Sequence, residues 1–555
     1  MERTRPSIGL RVAVESPVTT SSAISFAWAR IRVHATFLTL VISSLFAGWC
    51  ISALAQDRAD FPVNTQHLVY HDVKTDASGA IVPWYSDKAS VAYDHDVRLL
   101  WKFWQEMRTC GPGIPYYLQH QVWKEKEDDP RGLGGDQINM AIDSWNLLYG
   151  YLGDSALHEN MVMMANFWLD HGMSGPNLLY ANMPYPYNLN GCSGQFDGDM
   201  RAGAGYLQPD KAGTFGANLV LLYKLTGNQR YLTAAIKIAN TLTSTITPGD
   251  ADHSPWGFRV NAVTGKPSEG TRDGKRVTAS YTSNWTPTLR LFDELRALHK
   301  GNGESYRRTA VLVEEWLKQY AIPATKPGPF FEDVPTEDYS DTEINADTLA
   351  AYILEHPKWG SESKAQALKL LEWTETRLGN HNFAALRVTP INEQTRYEQP
   401  GNSHTSRHAW VRLLYCEVTN ECTDREEQVR RLNWATYSVN DDGRNRYPND
   451  DIWLTDGYGD YVRHYLRAMA SMPALAPDDQ NHLLRTTSVV QEIKYAADSI
   501  SYRKFDTDSE ERFKLGGGVP LRVRGGRFTW NPEGKVLTLH ASAREVTIDL
   551  RPSAH

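Results

Sequence analysis

Six short stretches crowd acids, bases and hydrogen-bonding side chains together: Gly134-Gly135-Asp136-Gln137; Asp210-Lys211 with Thr214; Tyr281-Thr282-Ser283-Asn284-Trp285; Asp341 and Glu343 with Asn345; Ser403-His404-Thr405-Ser406-Arg407-His408; and Thr455-Asp456-Gly457-Tyr458-Gly459-Asp460. Hydrolysis of a glycosidic bond needs two carboxyl groups, one protonated and one ionised, about 6.5–9.5 Å apart when the reaction inverts the anomeric centre. Asp136 and Asp456 are the first pair for those roles, and Glu332 or Glu343 could replace either. Arginine grips a carboxylate through two parallel N–H donors, so Arg407, with Arg259 or Arg463, would hold an acidic sugar. The same residues allow β-elimination, which needs a neutralised substrate carboxylate, a base at C5 and an acid for the leaving oxygen. Asn284 or Arg407 would then neutralise, with His404 and either Tyr281 or Tyr458 as base and acid.

Each residue also has a plainer use. Asp, Ser, Thr and Asn are favoured N-caps, so one acid at a helix start needs no catalytic role, and His404 or His408 alone could be a satisfied core histidine. Taken together, Asp136, Asp341, Glu343, His404, Arg407, His408, Asp456 and Asp460 are more ionisable groups than capping uses. Glu332, in Phe330-Phe331-Glu332-Asp333, and Glu393 with Glu398 add carboxylates that no helix start explains. Nearby stretches supply Tyr116, Trp123, Tyr180, Tyr185 and Trp256, flat faces of the kind that stack on pyranose rings. The residues expected to bind substrate are therefore Tyr281, Asn284, Trp285, Arg407, His408, Tyr458, Arg259 and Trp256.

These stretches sit where one kind of helix begins. Ala217 to Leu242 reads as two apolar-periodic helices about a turn at Thr226-Gly227-Asn228, an αα-hairpin whose grammar recurs after Tyr149 and Tyr415 and, more loosely, from Asp293 and Ile353. Twelve helical patterns follow Asp60. Six are comparatively uncharged and expected to be inner, at 136–151, 213–226, 281–298, 342–355, 403–418 and 456–470. Six carry a charged face and are expected to be outer, at 92–108, 156–171, 229–246, 304–320, 362–378 and 424–437. The first outer helix and the last inner helix are left to pair with each other, which predicts a mainly α fold, an (α/α)6 barrel over 91–473. Inner-to-outer turns are short and the returns are long, so the long loops gather at one rim, where the inner helices begin. After Pro473 the texture turns β-branched around Gly and Pro, predicting a small C-terminal β-domain over 474–555 with hairpins at RVRGGRF and NPEGK. Residues 56–90 form an N-terminal extension.

Residues 1–55 read as a secretory signal: Arg30 and Arg32, an apolar run from Phe37 to Ala47, then Ala53-Leu54-Ala55 as a cleavage site. A secreted or periplasmic chain, free of the membrane once cleaved, would keep 53 Lys+Arg against 64 Asp+Glu, a balance that argues against a nucleic-acid partner. Export permits disulfides, and Cys416 and Cys422 flank one hairpin turn; four free thiols in a chain this large is the alternative. Neither metal-ligand spacings nor a phosphate-binding glycine loop occurs, so no cofactor is expected.

Over residues of about 90 to 470 the chain resembles the six-hairpin glycosidase superfamily, on texts such as KAGTFGANLVLLYKLTGNQRYL and LTDGYGDYVRHYL. Unsaturated glucuronyl hydrolases, a β-glucuronidase family and some polysaccharide lyases share that architecture, so the resemblance implies a carbohydrate-active enzyme on oligo- or polysaccharides, with a uronic acid favoured. It assigns no catalytic residue. A glycoside hydrolase is the first expectation and a polysaccharide lyase the second, since the C-terminal β-domain is smaller than that of the toroid lyases with a multi-sheet β-region. A non-catalytic glycan-binding protein is the third.

Overall fold

The hairpin at Thr226-Gly227-Asn228 shows how the chain turns. Helix α4 (Pro209–Thr226) starts on a proline, whose missing N–H is no loss in a first turn, and ends at Gly227 in the left-handed region (φ 74°), whose N–H closes on Tyr223 O. Asn228 then caps α5 (Gln229–Thr245) by accepting from the N–H of Arg230 at 3.0 Å. On α5 the residues Tyr231, Leu232, Ala235, Ile238, Ala239 and Leu242 form one buried stripe, as an outer helix requires, whereas α4 is buried on most sides.

A computed structural model describes residues 64–106, 109–111, 114–115, 122–123, 135–187, 195–272, 274–330, 340–422, 424–445, 453–454, 456–516 and 518–552. The other helices of the series are α1 (Ala89–Glu106), α2 (Gly135–Leu152), α3 (Ala156–His171), α6 (Thr286–Ala297), α7 (Gly303–Trp316), α8 (Glu343–Glu355), α9 (Ser363–Leu378), α10 (Asn402–Thr419), α11 (Arg425–Thr436) and α12 (Asp456–Ser471). Inner helices α2, α4, α6, α8, α10 and α12 each pack on the next, and α12 lies against both α2 and α1. Glycines permit the closest approach: a Cβ at Gly213 would fall inside Thr288 of α6, and one at Gly216 would meet Leu291 at 2.6 Å. The inner helix expected from 281 starts five residues later, because Pro287 is tolerated only in a first turn; Tyr281 to Trp285 form its non-helical lead-in.

The C-terminal region contains two four-stranded antiparallel sheets, from β1 (His482–Thr486), β2 (Val490–Tyr495), β3 (Ser499–Lys504), β4 (Ser509–Lys514), β5 (Gly518–Arg524), β6 (Gly526–Asn531), β7 (Val536–Ala541) and β8 (Glu545–Pro552). Their orders are β1-β4-β7-β6 and β2-β3-β8-β5. NPEGK is a hairpin, joining β6 to β7 with Asn531 opposite Val536. RVRGGRF is not: β5 pairs with β8 and β6 with β7, so the chain changes sheet at Gly525, whose φ of 94° turns the corner. The sheets pack on the C-terminal ends of inner helices. Tyr495 donates to Gly150 O, Gln491 to Lys224 O at 2.7 Å, and Arg485 and Arg512 both bond Glu417 of α10. One hydrophobic core runs through helices and sheets, from Trp145 and Phe292 to Tyr502 and Ile548. Cys416 and Cys422 are joined by a disulfide across the α10–α11 turn. Among the described residues no helix is long and apolar enough to cross a membrane.

Candidate active site

With the sheets covering one end, the N-terminal ends of the inner helices face the other, and the space between them is an axial cavity of about 160 Å³. All six inner helices line it: Asn139 and Asp143 from α2, Lys211 and Asn218 from α4, Thr286 and Arg290 from α6, Thr348 from α8, Arg407 and Trp410 from α10, and Arg463, His464 and Arg467 from α12. Spacings of three, four and seven residues put these polar side chains on one face of otherwise apolar helices. Asn284 and Phe330 add to the wall from non-helical segments. Amides, hydroxyls, guanidiniums and two aromatic rings are the inventory that binds a polyhydroxylated ring.

Arg407 is the electrostatic hub of the upper wall. Only 1% of its side chain is exposed; it donates to Glu343 Oε2 at 2.5 Å and to Asp460. Arg463 also bonds Asp460, through Nε at 2.6 Å, and reaches Asp143 at 3.1 Å, where Arg467 joins at 2.8 Å. The two carboxyls on Arg407 are driven apart. Burial pushes Glu343 well above the usual carboxylate range despite Arg407, while at Asp460 the guanidiniums of Arg407 and Arg463 overcome burial and hold the carboxyl well below it. Asp460 thus carries the counter-charge to Arg407, while Glu343 is the carboxyl of the two that holds a proton more readily, a contrast found at acid–base sites. Glu343 Oε2 also meets His404 Nδ1 at 2.9 Å, Oε1 has no hydrogen-bond partner among the described residues, and His404 Nε2 stands 3.8 Å from Glu393. His464, which faces Ser406 Oγ at 3.1 Å, is lowered to about 3 by burial and is neutral.

Of the residues expected to bind substrate, Asn284 and Arg407 reach this cavity, and Asn284 donates to buried Asp210 at 2.8 Å. Four others do not. Trp256 and Trp285 are core residues packed on each other with ring centroids 4.9 Å apart, so neither offers a stacking face. Arg259 is buried on Asp199, which takes its Nε at 2.9 Å. His408 is clamped between Asp347 at 2.8 Å and Glu375 at 3.2 Å, on the side of α10 that packs on α9. Tyr281 is 4% exposed, donates its hydroxyl to Lys326 O at 2.7 Å, and is raised by burial far above the range of a working acid or base. Asp136 and Asp456 lie in the first turns of α2 and α12, but their side chains, like that of Tyr458 and the whole of Glu332, are outside the described residues. The cavity cations Arg290 and Arg467 and the acid Asp143 escaped the sequence reading. Their signal was a charged residue on the apolar face of an inner helix, as in Arg463 and Arg467 one turn apart. Among the described residues no group of three or more His, Cys, Asp or Glu is placed to hold a metal.

No protein-family profile matches the sequence, and no curated protein matches it significantly. Solved structures do match. A D-mannose isomerase superposes with a TM-score of 0.52 at 8% identity, covering 70% of this chain and 100% of its own. Cellobiose 2-epimerase from Spirochaeta thermophila DSM 6192 gives 0.50 at 11% identity, over 69% and 97% of the two chains. Cellobiose 2-epimerase from Bacillus thermoamylovorans B4167 gives 0.50 at 12%, over 67% and 99%. These likenesses speak for the architecture alone: the chain shares the helical-hairpin fold of these structures.

Proposed function

We propose that this chain is a carbohydrate-active enzyme whose six hairpins close as an (α/α)6 barrel around a saccharide site in the axial cavity. The observation that carries the reading is the convergence of all six inner helices on one cavity lined by amides, hydroxyls, guanidiniums and Trp410. Proteins of similar fold are named as sugar isomerases and epimerases, which agrees with a saccharide ligand. The reaction proposed is glycoside hydrolysis. Glu343, its pKa raised beside ionised Asp460, supplies the acid, and Asp136, Asp456 and Glu332 are the carboxyls the sequence offers as its partner. The four cavity arginines favour a sugar bearing a carboxylate, a uronic acid. The chain is proposed to be exported after cleavage near Gln56.

A second reading, β-elimination, is favoured by one observation: His404 stands between Glu343 and Glu393, as a general base would. Purified protein incubated with uronic-acid polymers and their oligosaccharides separates the two. Hydrolysis gives new reducing ends without ultraviolet absorbance, while elimination gives the absorbance of a C4=C5 double bond. A product with neither sinks both.

A further inference from the structure

The lower half of the axial cavity is built differently from the upper half. Arg290 and Arg467, on opposite inner helices α6 and α12, both line it, as does Asp143. Arg290 is anchored by a single nitrogen, Nη2, on Glu355 at 2.6 Å. Arg467 is likewise anchored by Nη2 alone, on Asp143, with its guanidinium carbon 4.8 Å from the Trp410 ring centroid. The remaining nitrogens of both have no protein acceptor among the described residues, although each guanidinium carries five donors. The carboxylates are already shared: Asp143 serves Arg463 and Arg467, and Asp460 serves Arg407 and Arg463. Arg407, Arg463 and Arg467 thus divide two aspartates among three guanidiniums, and an anion beside Arg290 and Arg467 would meet unused donors and supply a further counter-ion.

Size and shape narrow what can supply it. At about 160 Å³ the cavity has room for about five waters at ~30 Å³ each, well below the roughly 300–1,000 Å³ of sites that take drug-sized ligands. That is space for one sugar ring. The sheet region covers the ends of α2, α4, α10 and α12, four of the six inner helices, through Tyr495, Gln491, Arg485 and Arg512, which closes the cavity on the Arg467 side.

We propose that Arg290 and Arg467 form the floor of a dead-end subsite that takes one terminal sugar and pairs with a monoanionic substituent on it, a carboxylate or a sulfate ester, so that the enzyme works from chain ends. The inference rests on the axial cavity being the saccharide site, and the test keeps the two apart. Calorimetric titration of the full chain uses D-glucuronate, D-glucose 6-sulfate and D-glucose as probes, on wild type and on Arg290→Gln, Arg467→Gln and Arg467→Lys. The expected result is binding of at least one anionic sugar about tenfold or more tighter than glucose, a preference lost in both Gln variants and partly kept in Arg467→Lys. Whether glucuronate or the sulfate shows it identifies the substituent. Melting curves confirm that the variants are folded; where the Gln variants are not, Arg467→Lys with wild type decides alone. Equal binding of all three sugars overturns the floor but leaves the saccharide site standing. If no probe binds, the saccharide site and the floor fall together. On an active polymer, viscosity falling ahead of monosaccharide release overturns the chain-end mode.

Discussion

Asp460→Asn and Glu343→Gln remove carboxyls that touch the same guanidinium, and they should not weigh the same. Asp460 is 3% exposed and is the ionised partner of Arg407 and Arg463. Its loss strands a buried charge on Arg407, a change of about 3–5 kcal/mol. Glu343 is buried with its pKa pushed up, and if it holds its proton Gln keeps an oxygen to accept from Arg407 and His404, so that exchange costs about 1 kcal/mol or less. Unfolding entropy of about 2.1 cal/mol/K per residue over roughly 490 ordered residues gives on the order of 1 kcal/mol/K, hence about 1 °C of Tm per kcal/mol. Differential scanning calorimetry at pH 7 should find Asp460→Asn lower by about 3–5 °C and Glu343→Gln by about 1 °C or less. The pH dependence adds a sign. Folding raises the Glu343 pKa above its ordinary 4.5, so its stabilisation is complete below that value and is lost as pH rises through the folded pKa. Raising the pH should therefore bring wild type down toward Glu343→Gln. If Glu343→Gln melts as low as Asp460→Asn at neutral pH, Glu343 is ionised and the division of charge around Arg407 is wrong.

Asp136→Asn should lower turnover by about 10² to 10⁴ if this group is the general acid or base, whereas an N-cap replaced by Asn, itself a good cap, should lose almost nothing; initial rates on an active oligosaccharide decide. His482, stacked on Tyr151 at 3.8 Å, is lowered by burial to about 4. Its contribution is complete above the ordinary 6.5 and is lost as pH falls toward 4, about 2 kcal/mol by pH 5, so urea midpoints should fall over that window and fall less in His482→Gln. Breaking the Cys416–Cys422 bridge, a closure of 6 residues, should lower stability by about 2 kcal/mol in urea titrations with and without reductant. Sequencing the N-terminus of protein from periplasm or medium should find a start near Gln56; a full-length cytoplasmic product would contradict export.

The helical series was legible because each outer helix carries a single apolar stripe and each hairpin turn a Gly or Asn stop, as at Gly227 and Asn228. Exchanges with the sheet region were harder. SEERFK is too rich in charge to carry a strand signal, yet it forms β4, with Glu511 and Lys514 buried and Lys514 reaching Asp478. RVRGGRF has the composition of a hairpin, and only the partners of β5 and β6 reveal that it is a crossing. At the site, sequence located the helix starts but could not tell which side of a start faces the axis. Arg407 and His408 are adjacent, and one lines the cavity while the other is clamped between α8 and α9. Trp256 and Trp285 looked like platforms because aromatic rings serve cores and sugars alike, and composition does not separate the two uses.

The saccharide site is tested most directly by a crystal structure of the protein soaked with the product of its own reaction on a uronic-acid oligosaccharide. The account predicts one sugar ring in the axial cavity, within hydrogen-bonding reach of Asn139, Asn284 and Arg407, with its charged substituent toward Arg290 and Arg467. A sugar bound elsewhere, for example in the shallow groove lined by Trp530, Asn531 and Arg512, with the axial cavity holding only water, would contradict it.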